Sequence, residues 1–108
     1  MNKMKFNDII FKDTEMPQGI QAMIHFGDYD LSIVKSDFSY GGKSGLYEIA
    51  VFDGDIQTEL PGITQQGDTV KGFLSENEVE GIIKKLQLVT GKPGKNKWDH
   101  NQIKLFDS

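Results

Sequence analysis

Apolar and polar residues alternate most regularly between residues 20 and 35. Every second residue from 20 to 26 is apolar, which is the period-two pattern of a half-buried β-strand. Residues 27–30 have the composition of a turn, and residues 31–35 form a second apolar stretch, so this region predicts a β-hairpin. A third stretch, residues 46–52, is apolar at nearly every position and is typical of a central strand.

The segments around these strands have weaker patterns. Residues 9–11 are apolar and predict a short strand near the N-terminus. Residues 53–55, Asp-Gly-Asp, are typical of a tight hairpin turn, with residues 56–60 as the returning strand. Residues 61–69 are polar and glycine-rich, which indicates a second flexible loop.

One α-helix is predicted from residue 75 onward. Ser75 and Glu78 have the spacing of a capping box, in which each side chain accepts a hydrogen bond from the backbone amide of the other residue. Gly91 fits the position just past the last turn, and Pro93 prevents the helix from continuing. The spacing of five apolar residues predicts a single buried stripe, made of Val79, Ile82, Ile83, Leu86 and Val89.

These elements together predict an α+β fold, in which an antiparallel sheet of four to five strands carries one amphipathic helix, about residues 75–90, on one face. Residues 1–91 are expected to form a single domain. Residues 92–108 form a lysine-rich linker followed by an apolar tail around Trp98. Because this tail is too apolar for a purely disordered segment, we expect it to dock as a last strand, on another subunit or on a partner.

The composition narrows the classes of function. The chain has no cysteine, which excludes disulfides, thiolate zinc sites and cysteine nucleophiles. No apolar run reaches the length of a membrane span, and the first residues lack the apolar core of a signal peptide. We therefore expect a cytoplasmic protein that does not act in a membrane.

The charge of the chain argues against nucleic acid as a partner. The formal net charge is −4, and all 12 basic residues are lysines. Arginine is the usual residue for bidentate phosphate binding and for contacts to guanine, so its absence disfavours DNA readers and phosphoryl-transfer enzymes. The charges are also uneven, since residues 25–59 contain seven acidic residues and two lysines, whereas residues 84–97 contain five lysines and no acidic residue.

Residues 37–45 form the most informative loop of the sequence. Three glycines within five residues allow positive φ angles and the close approach of a ligand or of another chain segment. Residues 42–44, Gly-Lys-Ser, match the end of a phosphate-binding P-loop, but Asp37 stands where the first glycine of that motif belongs, and a strand follows instead of a helix. A plain turn is thus favoured, with a looser anion site on the loop amides as the alternative. The candidate binding residues of the loop are Phe38, Tyr40, Gly41, Gly42, Lys43 and Ser44.

Carboxylates near the first hairpin form a second group of candidates. Asp28 and Asp30 lie in or beside the turn, and His25 precedes them on the polar side of its strand. The turn is too short for a calcium loop, and a transition metal would need a second nearby histidine, so an Asx-rich turn is the better interpretation. The chain shows no catalytic, metal or cofactor motif, and we predict none. Asp28, Asp30 and Trp98 are retained as candidate binding residues.

The glycine-rich loop and the strand that follows it resemble segments of known proteins. The run Ser39-Tyr40-Gly41-Gly42, followed by residues 45–51 (Gly-Leu-Tyr-Glu-Ile-Ala-Val), is similar to an S-Y-G-G…G-L-Y-E-[IL]-A-V segment in short uncharacterised bacteriophage proteins. The resemblance extends in outline over residues 24–89. It implies a setting in the cytoplasm of an infected bacterium, where small phage proteins often bind and redirect or block a host protein. It transfers no activity and no functional residue.

The sequence thus favours a non-enzymatic binding protein, phage-encoded, which contacts a host or phage protein through an acidic, glycine-rich loop surface. Two forms of this hypothesis stay open: an acidic mimic of a nucleic-acid surface, for which a net charge of −4 is weak, and a homo-oligomer that exchanges its tail. The alternative is a binder of a small anionic ligand or nucleotide that uses the 37–45 loop. An enzyme ranks third.

Overall fold

The computed structural model describes residues 4–98, and within this range it contains one antiparallel β-sheet and one α-helix. The helix, α1 (Glu76–Thr90), packs against one face of the sheet. This arrangement confirms the predicted α+β fold. The strands are β1 (Lys12–Glu15), β2 (Gln18–Phe26), β3 (Tyr29–Ser36), β4 (Tyr47–Asp53), β5 (Ile56–Thr58), β6 (Val70–Leu74) and β7 (Lys95–Asn96).

The sheet has three long central strands and two composite edges. β2, β3 and β4 lie side by side, and neighbouring strands are antiparallel throughout. β1 and β7 pair with successive parts of β2 and together form one edge. β5 and β6 pair with different parts of β4 and form the other edge. The predicted central position of residues 46–52 is therefore confirmed.

Two-residue turns connect strands at one end of the sheet, which we call the hairpin end. β2 and β3 join through Gly27-Asp28, and β4 and β5 join through Gly54-Asp55. Gly27 and Gly54 both have a φ of 63°, a left-handed conformation that glycine adopts at little cost. Both predicted hairpins are confirmed.

The sheet face toward α1 forms the hydrophobic core. Alternate residues of β2, β3 and β4 point to this face and are buried, as the period-two pattern predicts. Full burial of a valine, leucine or isoleucine side chain contributes about 1.5–3 kcal/mol. The buried apolar residues of the sheet are Ala22, Ile24, Phe26, Leu31, Ile33, Tyr47, Ile49, Val51 and Leu74, and those of the helix are Val79, Ile82, Ile83 and Leu86.

Both ends of α1 have the predicted caps. Ser75 and Glu78 exchange the reciprocal hydrogen bonds of a capping box, and the bond from the Ser75 amide to the Glu78 carboxyl lowers the pKa of that carboxyl. Gly91 adopts the left-handed conformation after the last turn, with a φ of 69°. Residues local to each terminus therefore define where the helix begins and ends.

The predicted place of Val89 in the buried stripe is wrong. Val89 is 66% exposed, and Gln87 is buried instead. The side-chain oxygen of Gln87 accepts hydrogen bonds from the backbone amides of Met4 and Gly94, at 3.5 and 3.4 Å. The last turn of α1 thus faces the N-terminal segment at Met4 and the segment after the helix at Gly94. The backbone amides of these two residues need an acceptor, which an apolar side chain cannot supply.

The N-terminal region also differs from its prediction. Residues 9–11 do not form a strand. They lie between a single 3₁₀ turn, at Phe6–Asp8, and the first strand, β1. The Ile10 amide donates to the side-chain oxygen of Asn96, on β7, at 3.0 Å, and not to a backbone carbonyl as in a strand ladder. Ile9 is buried in the core, so its apolar character reflects packing and not strand formation.

Residues 56–74 contain structure that the hydrophobic pattern does not indicate. The returning strand β5 has only three residues. The following loop, predicted to be flexible, places Ile63 and Thr64 in buried positions, so it is anchored to the core. β6 was not predicted, and its pairing with β4 has a register shift between Tyr47 and Ile49. Such a shift interrupts the alternation by which a strand is recognised.

The chain returns to the sheet after α1. β7 pairs with β2, and the Lys97 amide continues this pairing with a hydrogen bond to the Met23 carbonyl, at 2.8 Å. The first part of residues 92–108 thus packs on the sheet that residues 1–91 form. The prediction for the tail beyond Trp98 lies outside the described residues. Among residues 4–98, no helix has the length and apolar character needed to cross a bilayer.

Candidate functional site

The sheet face away from α1 is the candidate functional surface, and we call it the uncovered face. It is formed by the residues that alternate with core positions, in cross-strand rows such as Met23–Ser32–Ala50. These rows combine small, polar, aromatic and charged side chains, whereas the core face is apolar. Two grooves lie on the uncovered face, with volumes of about 380 and 310 Å³.

The larger groove lies toward the hairpin end, and we call it the tryptophan groove. Trp98 follows β7 at one edge and Phe52 lies on β4, so the strands that carry Met23 and Asp30 run between the two rings. Apolar area from the rings and polar groups from the strands and turn are combined here, as in many ligand sites. The lining includes Gln21, Met23, Asp30, Phe52, Asp55 and Trp98.

Asp30 organises the charges beside this groove. Its Oδ1 accepts a hydrogen bond from His25 Nδ1 at 2.7 Å, and its Oδ2 accepts one from Lys97 Nζ at 2.8 Å. Partial burial raises the pKa of the Asp30 carboxyl, but the hydrogen bonds and the charge attraction from Lys97 and His25 together outweigh burial and lower the pKa overall. Asp30 is therefore ionised at neutral pH and links β2, β3 and the chain after β7.

The ring of Trp98 is held in place from the first edge strand. The ammonium nitrogen of Lys12, on β1, lies 3.8 Å from the centre of the indole ring, within the range of a cation–π interaction. Since β1 and β7 share one edge of β2, this contact orders the indole beside the groove. Two candidates from the sequence, Asp30 and Trp98, thus belong to one site.

The smaller groove lies toward the other end of the sheet, where the 37–45 loop connects β3 to β4. Phe38 and Ser39 of this loop lie along the groove, beside Pro17 of the β1–β2 turn. Val34 and Ala50 contribute its apolar centre. The loop that the sequence singled out therefore borders the uncovered face.

The backbone of the 37–45 loop is occupied by its own hydrogen bonds. The amides of Gly42, Ser44 and Leu46 donate to carbonyls within the loop, at 2.9–3.0 Å. The Tyr40 amide donates to the Glu48 carboxylate at 3.1 Å. Because these amides already have acceptors, the loop offers few donors to an anion. This geometry weakens the hypothesis of a phosphate or nucleotide site on the loop.

The glycines of the loop and of β6 permit close packing between these two segments. A Cβ atom on Gly42 would overlap the carbonyl oxygen of Ser36, the last residue of β3. A Cβ atom on Gly72 would overlap the Cβ of Tyr40, and the Phe73 amide donates to the Tyr40 carbonyl at 3.0 Å. The glycine-rich pattern therefore serves contact between chain segments, one of the two roles that the sequence allowed.

Four large apolar side chains are exposed at the loop end of the sheet, and we call this set the apolar end. Their exposed fractions are between 60 and 93%. They come from three segments that the topology brings to one end, namely the β1–β2 turn, the 37–45 loop and β6. One member has a φ of 57°, a left-handed conformation that is strained for a bulky side chain. The four residues are Met16, Phe38, Tyr40 and Phe73, and Phe73 is the strained one.

The remaining candidates from the sequence lie outside the tryptophan groove and the apolar end. Asp28 is exposed in the β2–β3 turn, close to the C-terminal end of α1 at Thr90. Lys43 and Ser44 are exposed in a short 3₁₀ turn, between Gly41 and Gly45. Among residues 4–98, no three His, Asp or Glu side chains converge as metal ligands.

Sequence reasoning missed Met23 and Phe52 in the tryptophan groove, and Met16 and Phe73 at the apolar end. Met23 and Phe52 alternate with core residues along their strands, so the strand period could have identified them. Met16 and Phe73 have no comparable signal, because one lies in a turn and the other beside the register shift between β4 and β6.

Comparisons of the chain with models of known protein families, with curated protein sequences and with solved structures each found no match. The similarity to short bacteriophage proteins therefore stays a prediction from the sequence. The geometry and charge of the uncovered face and the apolar end are the observations that bear on function.

Proposed function

We propose that this chain is a non-enzymatic protein-binding domain that contacts a host or phage protein with its uncovered face and apolar end. The observation that carries the proposal is the exposure of four large apolar side chains, from three chain segments, at one end of one sheet. Single exposed apolar residues are common on protein surfaces, whereas grouped ones mark contact sites. Aromatic residues and methionine are also enriched at protein interfaces.

The backbone of Phe73 supports this proposal. A residue with a side chain in the left-handed conformation costs about 1–2 kcal/mol. The Phe73 side chain is 62% exposed, so burial offsets little of that cost. Strained residues cluster at functional sites, and contact with a partner is a physical reason for a phenylalanine at this position.

Charges beside the apolar end indicate the chemistry of the partner. Glu15 precedes Met16 and Asp37 precedes Phe38, and both carboxylates are exposed. The whole chain has a net charge of −4. Because Lys43 and Lys71 are exposed at the same end, a complementary partner surface is apolar at its centre and carries charges of both signs at its rim. In the infected-cell cytoplasm that the sequence resemblance implies, such a partner is a host or phage protein.

A capture experiment with matched variants tests the proposal. Phe38→Ser/Tyr40→Ser removes two side chains from the apolar end, and Leu88→Ser/Val89→Ser removes two similarly exposed ones from α1. Circular dichroism checks that both variants fold like the wild type. We expect one bacterial or phage protein to bind the wild type and the α1 variant, and its capture by the loop variant to fall at least about tenfold.

The captured protein is then purified, and its dissociation constant is measured for all three forms. Equal affinity for the two variants would contradict a contact at the apolar end. If no protein is captured from lysate of uninfected or phage-infected bacteria, the protein-binding function is wrong. A rise in melting temperature with a nucleotide would instead favour the small-ligand alternative.

A further inference from the structure

The tryptophan groove presents a set of groups that matches a guanidinium ion. We infer that it binds an arginine side chain of the partner protein, and this inference rests on the proposed function. The groove lies toward the hairpin end of the uncovered face, and the apolar end lies at the opposite end of the sheet. The two sites are therefore separate points of contact for one partner.

Aromatic rings supply the first part of the match. The groove is bordered by Trp98 and Phe52, and its volume of about 380 Å³ accommodates a long side chain. A guanidinium ion is planar, stacks on aromatic faces and is more weakly hydrated than an ammonium ion. The indole already attracts one cation, because Lys12 Nζ lies 3.8 Å from its ring centre.

Carboxylates supply the second part of the match. Asp55 lines the groove, and no hydrogen bond or ion pair engages its carboxylate among residues 4–98. Its two oxygens can accept a bidentate pair of hydrogen bonds from a guanidinium ion. Asp30 lines the same groove, but Lys97 and His25 already contact its two oxygens, so Asp55 is the carboxylate that is open to a guanidinium ion.

The charges of the groove disfavour the opposite class of ligand. A phosphate or carboxylate would face both Asp30 and Asp55. Lys97 of the groove already pairs with Asp30 at 2.8 Å, so Asp55 is left as the carboxylate of the groove that repels an anion. The chain itself contains no arginine, so a guanidinium ion in the groove must come from another molecule.

Fluorescence reports on this site directly, because Trp98 is the one tryptophan of the chain. N-acetyl-arginine amide is titrated into the full-length protein, and N-acetyl-citrulline amide, which has nearly the same shape without the charge, is the ligand control. We expect a saturable change in Trp98 emission with the arginine compound, and at least about tenfold weaker binding of the citrulline compound.

Two carboxylate variants of the same hairpin provide the protein control. Asp55→Asn removes the carboxylate that lines the groove, whereas Asp53→Asn removes an exposed one that does not line it. Asp55→Asn should raise the dissociation constant for the arginine compound about tenfold, since hydrogen bonds to a charged group are strong. Asp53→Asn should change it by less than about twofold.

An emission change that does not saturate, an equal response to citrulline, or an equal effect of the two variants would overturn the guanidinium site. Failure of the proposed function gives a different result, because the arginine compound would still bind while no protein would be captured. In contrast, a captured partner whose affinity is unchanged by Asp55→Asn would leave the proposed function standing and overturn the assignment of the groove to a partner arginine.

Discussion

The two faces of the sheet are built from the same strands but differ in burial and composition. On the covered face, Ile24, Leu31 and Val51 form one cross-strand row and are fully buried. In the adjacent row, on the uncovered face, Asp30 and Phe52 line a groove. A step of one residue along each strand therefore separates positions that determine stability from positions that are available for binding.

The energies on the two faces differ as well. Truncation of a fully buried aliphatic side chain costs about 2–5 kcal/mol, whereas an ion pair between partly exposed side chains contributes about 0.2–1 kcal/mol. Substitutions on the uncovered face should thus change binding with little change in stability. Four predictions test this difference between the faces.

The largest effect is expected on the covered side. Ile83, on α1, is fully buried, so Ile83→Ala should lower the free energy of unfolding by about 2–5 kcal/mol through lost burial and a residual cavity. Leu88, on the same helix, is 84% exposed, and Leu88→Ala should change that free energy by less than about 0.5 kcal/mol. Urea denaturation measures both. Equal effects would contradict the burial of this helix face.

The second effect concerns the loop that borders the uncovered face. A Cβ atom on Gly42 would overlap a backbone carbonyl oxygen, so Gly42→Ala should destabilise the protein by about 1–3 kcal/mol. The Cβ position of Gly81, on α1, is open, so Gly81→Ala should stabilise the protein by about 0.5–1 kcal/mol. Opposite shifts in melting temperature are expected. If the loop glycine tolerates alanine, the loop is flexible and not closely packed.

The third effect links strain to binding. Phe73→Asn places a residue that tolerates the left-handed conformation at a φ of 57°, and it should relieve about 1 kcal/mol of strain. Because Phe73 is largely exposed, the substitution removes little burial. The melting temperature should stay constant or rise, while capture of the partner protein falls. A clear drop in melting temperature would show that Phe73 has a structural role instead.

The smallest effect is expected at the charged cluster of the uncovered face. Lys97→Met removes the ion pair with Asp30, and at neutral pH it should lower the free energy of unfolding by about 0.2–1 kcal/mol. The folded-state pKa of Asp30 is lowered, so the stabilisation is present above the ordinary pKa of 3.8 and is lost as the pH falls through the lower folded-state pKa.

The difference in unfolding free energy between the wild type and Lys97→Met should therefore shrink as the pH falls from about 5 to about 2. Urea denaturation at several pH values measures this difference. A difference that is the same at every pH would show that Lys97 acts through the packing of its aliphatic stem.

The candidate site was only partly predictable. Phe38 and Tyr40 stand out because they flank glycines, and Trp98 stands out in a polar segment. Their neighbours do not, because the contacts that assemble each site join distant segments. Tyr40 meets β6 through the Phe73 amide, and Trp98 reaches the uncovered face through the pairing of β7 with β2.

The sequence by itself determined the class of fold, the two hairpin turns, the caps of α1 and most of the buried positions. Each of these depends on residues that are close in the chain, because turn chemistry, capping and hydrophobic period are local. Gly27, Gly54, Ser75 and Gly91 act within a few residues of their own positions.

Only the tertiary structure decided how the sheet edges are composed and where the exposed apolar side chains assemble. β7 has too few residues to specify a strand by pattern, and the register shift hides the pattern of β6, so their pairing with β2 and β4 determines their conformation. Contacts between distant segments also explain why Gln87 is buried while Val89 is exposed. The requirement for an acceptor arises from the amides of Met4 and Gly94, which approach α1 only in the folded protein.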